Sequence, residues 1–194
     1  MKVLGFLASP RKKGNTAVML EQALAGALAA GAQVEKVVVA DLRIAPCLSC
    51  YACERNGKCA VHDAMADIYT KIEEADAIIV ASPVYFMGLP AQFKALVDRC
   101  QPYWIRKYIL KLPPTKQRVG LFLSAGGTNL PHSFDAIRLE VKSFFHCLDT
   151  QYLGEVVVRS VSSEGAISDH PDILAQARQA GEELVRTFMA QGKA

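Results

Sequence analysis

The sequence has no apolar run that approaches the ~18–20 residues needed to span a bilayer, so we expect no membrane anchor. It also has no large excess of one charge. The formal net charge is only +3, from 22 basic and 19 acidic residues, and the basic residues are dispersed along the chain. This balance argues against nucleic acid as a partner.

Targeting and nucleotide motifs are missing as well. The apolar N-terminal stretch is followed by Pro10 and a basic segment without a small-residue cleavage site, so we interpret it as a buried strand and expect a cytoplasmic protein. The motifs G-x-G-x-x-G and G-x-x-x-x-G-K-[ST] do not occur, which argues against dinucleotide binding and NTP hydrolysis. No Ser/His or paired-carboxylate arrangement stands out, and we predict no catalytic side chain.

The chain does contain a regular alternation of short apolar strands and amphipathic helices. The predicted strands cover residues 2–8, 34–40, 77–81, 118–124 and 152–158. Helices are predicted at 17–30, 65–72, 91–100 and 133–148 and from Pro171 onward, with Asp63 as a candidate N-cap. This alternation predicts a single α/β domain, residues 1–194, built on a doubly wound five-stranded parallel sheet. Ligands of such sheets bind beyond the carboxyl ends of the strands.

The loop after the first strand has the composition of a phosphate site, and we call residues 8–16, ASPRKKGNT, the phosphate loop. It leads into a helix N-terminus, whose unpaired N–H groups and dipole attract an anion. Donors, positive charge and a close backbone approach come from Ser9, Arg11, Lys12, Lys13, Gly14, Asn15 and Thr16. A terminal phosphate, as in FMN, suits this loop. The alternative is a solvated basic turn that ends in an Asn/Thr helix cap.

Two more loops are candidates for contact with a flat ring. The ring loop, residues 82–90 (SPVYFMGLP), is stiffened by two prolines, and Tyr85 or Phe86 could stack on a heterocycle. Alternatively, its aromatic side chains fill the core beneath the next helix. The glycine loop, residues 124–129 (SAGGTN), would let a ring or a pyrophosphate lie against Gly126 and Gly127, unless it is a plain turn.

Four of the six cysteines lie in one segment, residues 46–62, which we call the cysteine loop. Cys47, Cys50, Cys53 and Cys59 have the spacing C-x2-C-x2-C-x5-C. A [4Fe–4S] cube needs four thiolates, and ferredoxin-type runs use a similar compact core, whereas structural zinc sites more often use two distant C-x2-C pairs. A cluster is therefore the first expectation, with zinc or bare thiols as alternatives. The remaining two, Cys100 and Cys147, fit helical patterns as small buried hydrophobes.

Several of these segments together resemble one known family. In this order, ASPRKKGNT, CLSCYACERNGKC, DAMADIY and ASPVYFMGLPAQFKALVDR are similar to motifs of the flavodoxin-like NADPH-dependent FMN reductase superfamily, in particular its iron–sulfur flavoprotein branch. The resemblance covers about residues 1–130. The chain departs from the usual pattern at Ala8, where Gly is more common, and at Ala64, where a second acidic residue is more common. Neither change removes a candidate ligand.

The resemblance implies FMN in a flavodoxin-like fold, with strand order 2-1-3-4-5 and the cysteine loop after strand 2. It implies that the phosphate lies on Ser9, Arg11, Asn15 and Thr16, and the composition of the loop adds Lys13 and Gly14 as candidate contacts. The ring would lie against Pro83, Val84, Tyr85 and Phe86, with Ser124, Gly126 and Gly127 near its far side. It also implies a [4Fe–4S] cluster on Cys47, Cys50, Cys53 and Cys59, and a homodimer or homotetramer.

The function expected from this resemblance is electron transfer through FMN and a cluster. The electron donor would be a one-electron carrier such as ferredoxin, or NAD(P)H. One alternative is a cluster-free NAD(P)H-dependent FMN or quinone reductase, and another is a non-catalytic flavin-binding electron carrier or regulator. The segment 99–112, which contains the only Trp, is a candidate partner surface or a helix extension that covers the core.

Overall fold

The computed structural model describes residues 1–114 and 116–192. Within these residues, strands β1 to β5 cover Lys2–Leu7, Gln33–Val38, Ala77–Pro83, Arg118–Ala125 and Thr150–Val158. Helices α1 to α6 cover Asn15–Ala29, Met65–Glu74, Ala91–Asp98, Gln101–Trp104, Asp135–Cys147 and Pro171–Gln191. The strand positions predicted from the apolar runs are confirmed to within two residues.

The strands form one parallel sheet in the order β2-β1-β3-β4-β5, as predicted. β1 pairs with β2 on one side and with β3 on the other, with Leu7 opposite both Val38 and Ala81. The chain therefore changes its winding direction between β1 and β3, which is where ligands of doubly wound sheets bind.

Both faces of the sheet are covered by helices. Val3 and Leu7 of β1 point to one face and pack in the core that α1 and α6 cover. Leu4 and Phe6 point to the other face and pack with Met65 and other residues of α2, α3 and α5. This alternation along a strand with two buried faces explains why the strands appear in the sequence as continuous apolar runs.

The helices differ from expectation at two places. The helix predicted at 91–100 ends at Asp98, and a short α4 begins at Gln101 and continues into a π-helical turn at Ile105–Ile109. Pro102 lacks the N–H that would bond four residues back, so it fits the first turn of a new helix and not the end of the old one. The N-cap of α2 is Ala64 and not the predicted Asp63, although Asp63 Oδ1 accepts the Met65 N–H at 2.9 Å. No helix within the described ranges is both long and apolar enough to cross a membrane.

α1 and α6 approach so closely that glycine is needed on both helices. A Cβ added to Gly181 would lie 1.9 Å from the Ala23 carbonyl oxygen, and one added to Gly26 would lie 2.0 Å from the Arg178 carbonyl oxygen. Both distances are far below van der Waals contact, and the atoms they meet are backbone atoms that cannot rotate away. The spacing of the two helices therefore depends on these two glycines.

We predict that Gly181→Ala lowers the free energy of unfolding by about 1–3 kcal/mol, because α1 and α6 must separate to admit the methyl group. Urea unfolding followed by circular dichroism measures the loss. Gly154→Ala in β5 is the control, since its added Cβ meets no atom within 4 Å. Equal unfolding midpoints for the two variants would contradict the close helix packing.

Candidate functional site

The phosphate loop, the ring loop and the glycine loop leave the sheet side by side at its carboxyl edge. The Ala8 N–H donates to the Ala81 carbonyl at 2.9 Å, and the Ser124 hydroxyl donates to the Ser82 carbonyl at 2.7 Å. The Gly126 N–H donates to the Val158 carbonyl at 2.9 Å. The two backbone bonds continue the ladders past the ends of β1 and β4, and the Ser124 side chain joins the ends of β4 and β3. Together they hold the starts of the three loops in place.

The phosphate loop folds into a compact turn that presents a helix N-terminus. The Arg11 N–H donates to Ser9 Oγ and the Gly14 N–H to the Arg11 carbonyl, both at 3.1 Å. Gly14 is the N-cap of α1. Among the described residues, no side chain caps that end and no acidic residue lies in its first turn. The positive end of the helix dipole is therefore left for an external anion.

The three cations of the phosphate loop are not equivalent. Lys12 forms an ion pair with Asp41, with Nζ 2.8 Å from Oδ2. Within the part of the chain that the structure describes, Arg11 and Lys13 form no ion pair, and Arg11 Nη1 makes only a 3.4 Å hydrogen bond to the Ser162 carbonyl. Arg11 and Lys13 are therefore the charges available to a bound anion, and this surrounding fits a phosphate group.

Two of the predicted cofactor contacts use their side chains for other bonds. The Asn15 amide donates to the Ser163 carbonyl at 2.9 Å, and its oxygen accepts the Ile167 N–H at 3.2 Å. These bonds tie α1 to the chain after β5. The buried Ser124 hydroxyl is used in its bond to Ser82. Asn15 and Ser124 can therefore contribute to a ligand mainly through their backbone atoms.

The ring loop contains a tight two-residue turn. Tyr85 and Gly88 exchange two backbone hydrogen bonds of 3.0 Å, and Phe86 and Met87 between them have φ values of 48° and 68°. The left-handed region costs an L-residue roughly 1–2 kcal/mol, and Phe86 is fully exposed. A strained backbone that presents an exposed aromatic ring is typical of a ligand or partner contact.

Glu140 on α5 supports this turn, and the sequence offered no signal for it. Glu140 Oε2 accepts the Leu89 N–H at 2.8 Å and lies 3.1 Å from the position that a Cβ on Gly88 would take. The expected alternative, in which the aromatic residues of this loop fill the core, does not describe Phe86.

The glycine loop uses its glycines for close packing. Gly126 is buried, and a Cβ there would lie 3.1 Å from the Phe134 ring. Gly127 is exposed, and its Cβ would lie 3.0 Å from Ser162 Cβ. The absence of both side chains therefore leaves room for Phe134 below the loop and for the segment at Ser162 beside it.

All four thiols of the cysteine loop line one cavity of about 570 Å3, which lies between this loop and the segment from Val97 to Tyr108. Ser49 and Tyr51, on either side of Cys50, have φ values of 50° and 56°. Gly57 has φ 69°, and a Cβ there would lie 2.5 Å from Arg106 Cγ. The loop is thus held in a strained, specific conformation around the thiols.

The four thiols differ in exposure. Cys50 is exposed, Cys47 and Cys59 are half-buried, and Cys53 is buried. Burial raises the pKa of the Cys53 thiol, and the neighbouring thiols of Cys59, Cys47 and Cys50 act in the same direction. A centre that binds all four must therefore supply enough positive charge to deprotonate a buried thiol, as an iron centre does.

Over residues 1–114 and 116–192, no three His, Cys, Asp or Glu side chains are grouped so that they could hold one metal ion. Four thiolates are the donor set that a [4Fe–4S] cluster takes. The donor set and the shared cavity therefore fit a cluster.

Cys100 and Cys147 line the same cavity, which the sequence did not predict. Burial raises the pKa of Cys147 to about 11 and raises that of Cys100 well above its ordinary value. Both are therefore protonated thiols at neutral pH. Cys100 is buried as predicted, whereas Cys147 is only half-buried. Trp104 and Tyr108 form another wall of the cavity and are partly exposed.

Comparison with known proteins agrees with this geometry. The family model described as NADPH-dependent FMN reductase matches residues 1–162. An iron–sulfur flavoprotein of Methanocaldococcus jannaschii is 43% identical over 102 residues, 53% of each chain. An iron–sulfur flavoprotein of Methanosarcina thermophila is 39% identical over 128 residues, 66% of this chain and 64% of that protein. The matches thus span about half to two thirds of the length of these relatives.

A solved structure supports the fold. The NAD(P)H:quinone oxidoreductase from Methanothermobacter marburgensis has a TM-score of 0.72 against this chain, with 18% identity over 94% of both chains. At this level of identity the likeness concerns the fold alone.

The exposure of the thiols predicts the order of alkylation in iron-free protein. We expect iodoacetamide to modify Cys50 first and Cys53 at least about tenfold more slowly, because a buried thiol reacts only after local opening. Peptide mass spectrometry at timed intervals measures both rates. Equal rates for these two thiols in folded protein would contradict the described loop, and urea-unfolded protein provides the reference in which the difference should disappear.

Proposed function

The chain belongs to the NADPH-dependent FMN reductase family, and from this premise we propose that it is a flavin-dependent oxidoreductase. FMN would bind at the carboxyl edge of the sheet and a [4Fe–4S] cluster in the cysteine loop. The observation that carries the proposal is that four closely spaced cysteines line one cavity in a chain whose phosphate loop presents an uncapped helix N-terminus.

Ser9, Gly14 and Thr16 would bind the FMN phosphate together with the backbone N–H groups at the start of α1. Arg11 and Lys13 would balance its charge, since no carboxylate among the described residues pairs with them. Asn15 would hold the loop in shape through its bonds to the chain after β5. With Asn15 holding the loop and Arg11 and Lys13 left for the ligand, the phosphate site would be rigid and positively charged before FMN binds.

Pro83, Val84, Tyr85 and Phe86 would contact the flavin ring, and the backbone of Gly126 and Gly127 would lie near its far side. The left-handed turn at Phe86 and Met87 leaves the Phe86 ring exposed, and Glu140 holds the turn through the Leu89 N–H. The ring loop would thereby orient the ring and exclude water from one of its edges. Ser124 would hold the ends of β3 and β4 together beneath it.

The bound groups would supply the conversion between two-electron and one-electron transfer. The four thiols of the cysteine loop would hold iron, and Cys53 would be the buried ligand that shields it from solvent. The electron donor would be NAD(P)H or a one-electron carrier such as ferredoxin. The assembly would be a homodimer or homotetramer, for which the partly exposed Trp104 and Tyr108 offer contact area.

A cluster-free NAD(P)H-dependent FMN or quinone reductase is the second candidate. The observation in its favour is that the thiols of the described residues are not grouped around a single metal ion. In that case the cysteine loop would carry bare thiols. Rapid NADPH oxidation by a yellow, iron-free protein prepared without oxygen would favour this candidate over the first.

We predict that anaerobically purified protein is brown, absorbs broadly near ~400 nm and contains roughly four irons and four sulfides per chain. Cys50→Ser should abolish iron binding and leave FMN retention unchanged, because Cys50 lies outside the flavin loops. Iron, sulfide and flavin analysis measure both. Cys147→Ser is the matched control in the same cavity and should retain iron. A wild-type protein that binds flavin but no iron, after reconstitution with iron and sulfide, would overturn the cluster proposal.

The unequal partners of the basic residues generate a prediction for FMN affinity. Arg11→Gln should weaken FMN binding by about fivefold, because it removes a positive charge that no carboxylate among the described residues neutralises and that is therefore available to the phosphate. Lys12→Gln should change it little, since Lys12 pairs with Asp41. Fluorescence titration measures both dissociation constants. Riboflavin, which lacks the phosphate, should bind the two variants and the wild type alike, and a loss of riboflavin affinity in Arg11→Gln would show that the residue does not act on the phosphate.

A further inference from the structure

Arg99, just after α3, is fully buried beneath the cysteine loop. Its Nη1 lies 2.8 Å from Asp63 Oδ2 and its Nη2 lies 3.2 Å from Asp63 Oδ1, so the pair is bidentate. The same two nitrogens donate to the Ala45 carbonyl at 2.9 Å and the Val61 carbonyl at 3.1 Å. Ala45 lies two residues before Cys47 and Val61 two residues after Cys59, so a single guanidinium binds both ends of the loop.

Asp63 completes this closure. Its Oδ2 accepts the Ala45 N–H at 2.9 Å, so Ala45 is held through both its N–H and its carbonyl. Its Oδ1 accepts the Met65 N–H at 2.9 Å, which joins the closure to the start of α2. Removing one partner of such a pair would leave an uncompensated charge in a buried place, which is costly.

The loop packs against the segment after α3, where Gly57 meets Arg106, but it has few other hydrogen bonds to the rest of the molecule. Its internal hydrogen bonds, such as that from the Gly57 N–H to the Cys53 carbonyl at 2.8 Å, join only neighbouring residues. Among the residues that the structure describes, no side chain other than Arg99 donates a hydrogen bond to a carbonyl of residues 46–62. Arg99 and Asp63 therefore supply the main hydrogen bonds that fix the two ends of the loop.

Arg99 also has a donor left over. Its Nε is buried and has no hydrogen-bond partner among the described residues, and Arg99 lines the same cavity as Cys47 and Cys59. Groups that lie behind a metal ligand commonly position it. The guanidinium is thus placed to hold the chain on both sides of the four thiols.

We propose that Arg99 is a positioning residue that, with Asp63, closes the cysteine loop and holds Cys47 and Cys59 toward one cavity before any iron is bound. Its functional meaning rests on the proposed cluster, whereas the closure of the loop does not require iron. The two can therefore be tested separately.

The first test is Arg99→Lys in the full-length, iron-free protein, followed by hydrogen–deuterium exchange. Lysine keeps the charge, but the three N–H donors on its single nitrogen cannot reproduce the two bonds to Asp63 together with those to the Ala45 and Val61 carbonyls. Amides of residues 47–59 should exchange at least about tenfold faster than in the wild type, because the loop opens locally.

Arg118→Lys is the matched control. Arg118 is also buried and donates to the carbonyls of Ile72, Lys116 and Leu148, away from the loop. It should lower overall stability without a selective increase of exchange in residues 47–59. Asp63→Asn is the second variant in case Arg99→Lys does not fold, and it should also increase exchange there. Loop exchange in Arg99→Lys or Asp63→Asn that matches the wild type or Arg118→Lys would overturn the proposal.

A second readout follows iron and excludes a purely structural role. After anaerobic reconstitution, Arg99→Lys should lose iron to a chelator about tenfold faster than Arg118→Lys, with equal FMN binding in both. Equal rates of iron loss would overturn the positioning role. If the wild type takes up no iron, the cluster proposal fails, and the exchange experiment on iron-free protein still decides the role of Arg99.

Discussion

The parallel pairing of β1 with β3 is the constraint on which the candidate site depends. β1 also pairs with β2, so the chain runs from β1 toward one edge of the sheet and from β3 toward the other. This change of direction opens a crevice at the carboxyl ends of β1 and β3. The bond from the Ala8 N–H to the Ala81 carbonyl extends that pairing beyond β1. The phosphate loop and the ring loop therefore begin next to each other although about seventy residues of chain separate them.

Polar groups at this edge are divided between structure and ligand. Asn15 and Ser124 are satisfied by neighbouring carbonyls and keep the loops in shape. Among the described residues, Arg11 and Lys13 form no ion pair, the Arg11 guanidinium has only a 3.4 Å hydrogen bond to the Ser162 carbonyl, and the start of α1 has no side-chain cap. A buried polar group is costly without a hydrogen bond, so Asn15 and Ser124 need partners within the protein. The groups that remain available are concentrated where a phosphate would bind.

Four of the eight non-glycine residues with positive φ among those described lie in the cysteine loop and the ring loop. Ser49 and Tyr51 lie in the cysteine loop, and Phe86 and Met87 in the ring loop, all with positive φ. Such residues persist only where the surrounding structure over-determines them. Arg99 binds both ends of the first region and Glu140 binds the exit of the second. Each loop thus has one buried or partly buried charged side chain that holds it in place.

Local patterns in the sequence determined the strands, most helix positions and the grouping of four cysteines, because apolar periodicity and cysteine spacing are properties of neighbouring residues. Only the tertiary structure decided which donors stay available. Asn15 looks like a phosphate ligand in the sequence, yet its amide binds the chain near Ser163 and Ile167, some 150 residues away. In the same way, Arg99 directly follows Asp98 in the sequence, but its guanidinium binds Asp63, 36 residues away. The physical reason is that a long-range partner, which no local spacing encodes, determines whether a polar group is already satisfied or remains available for a ligand.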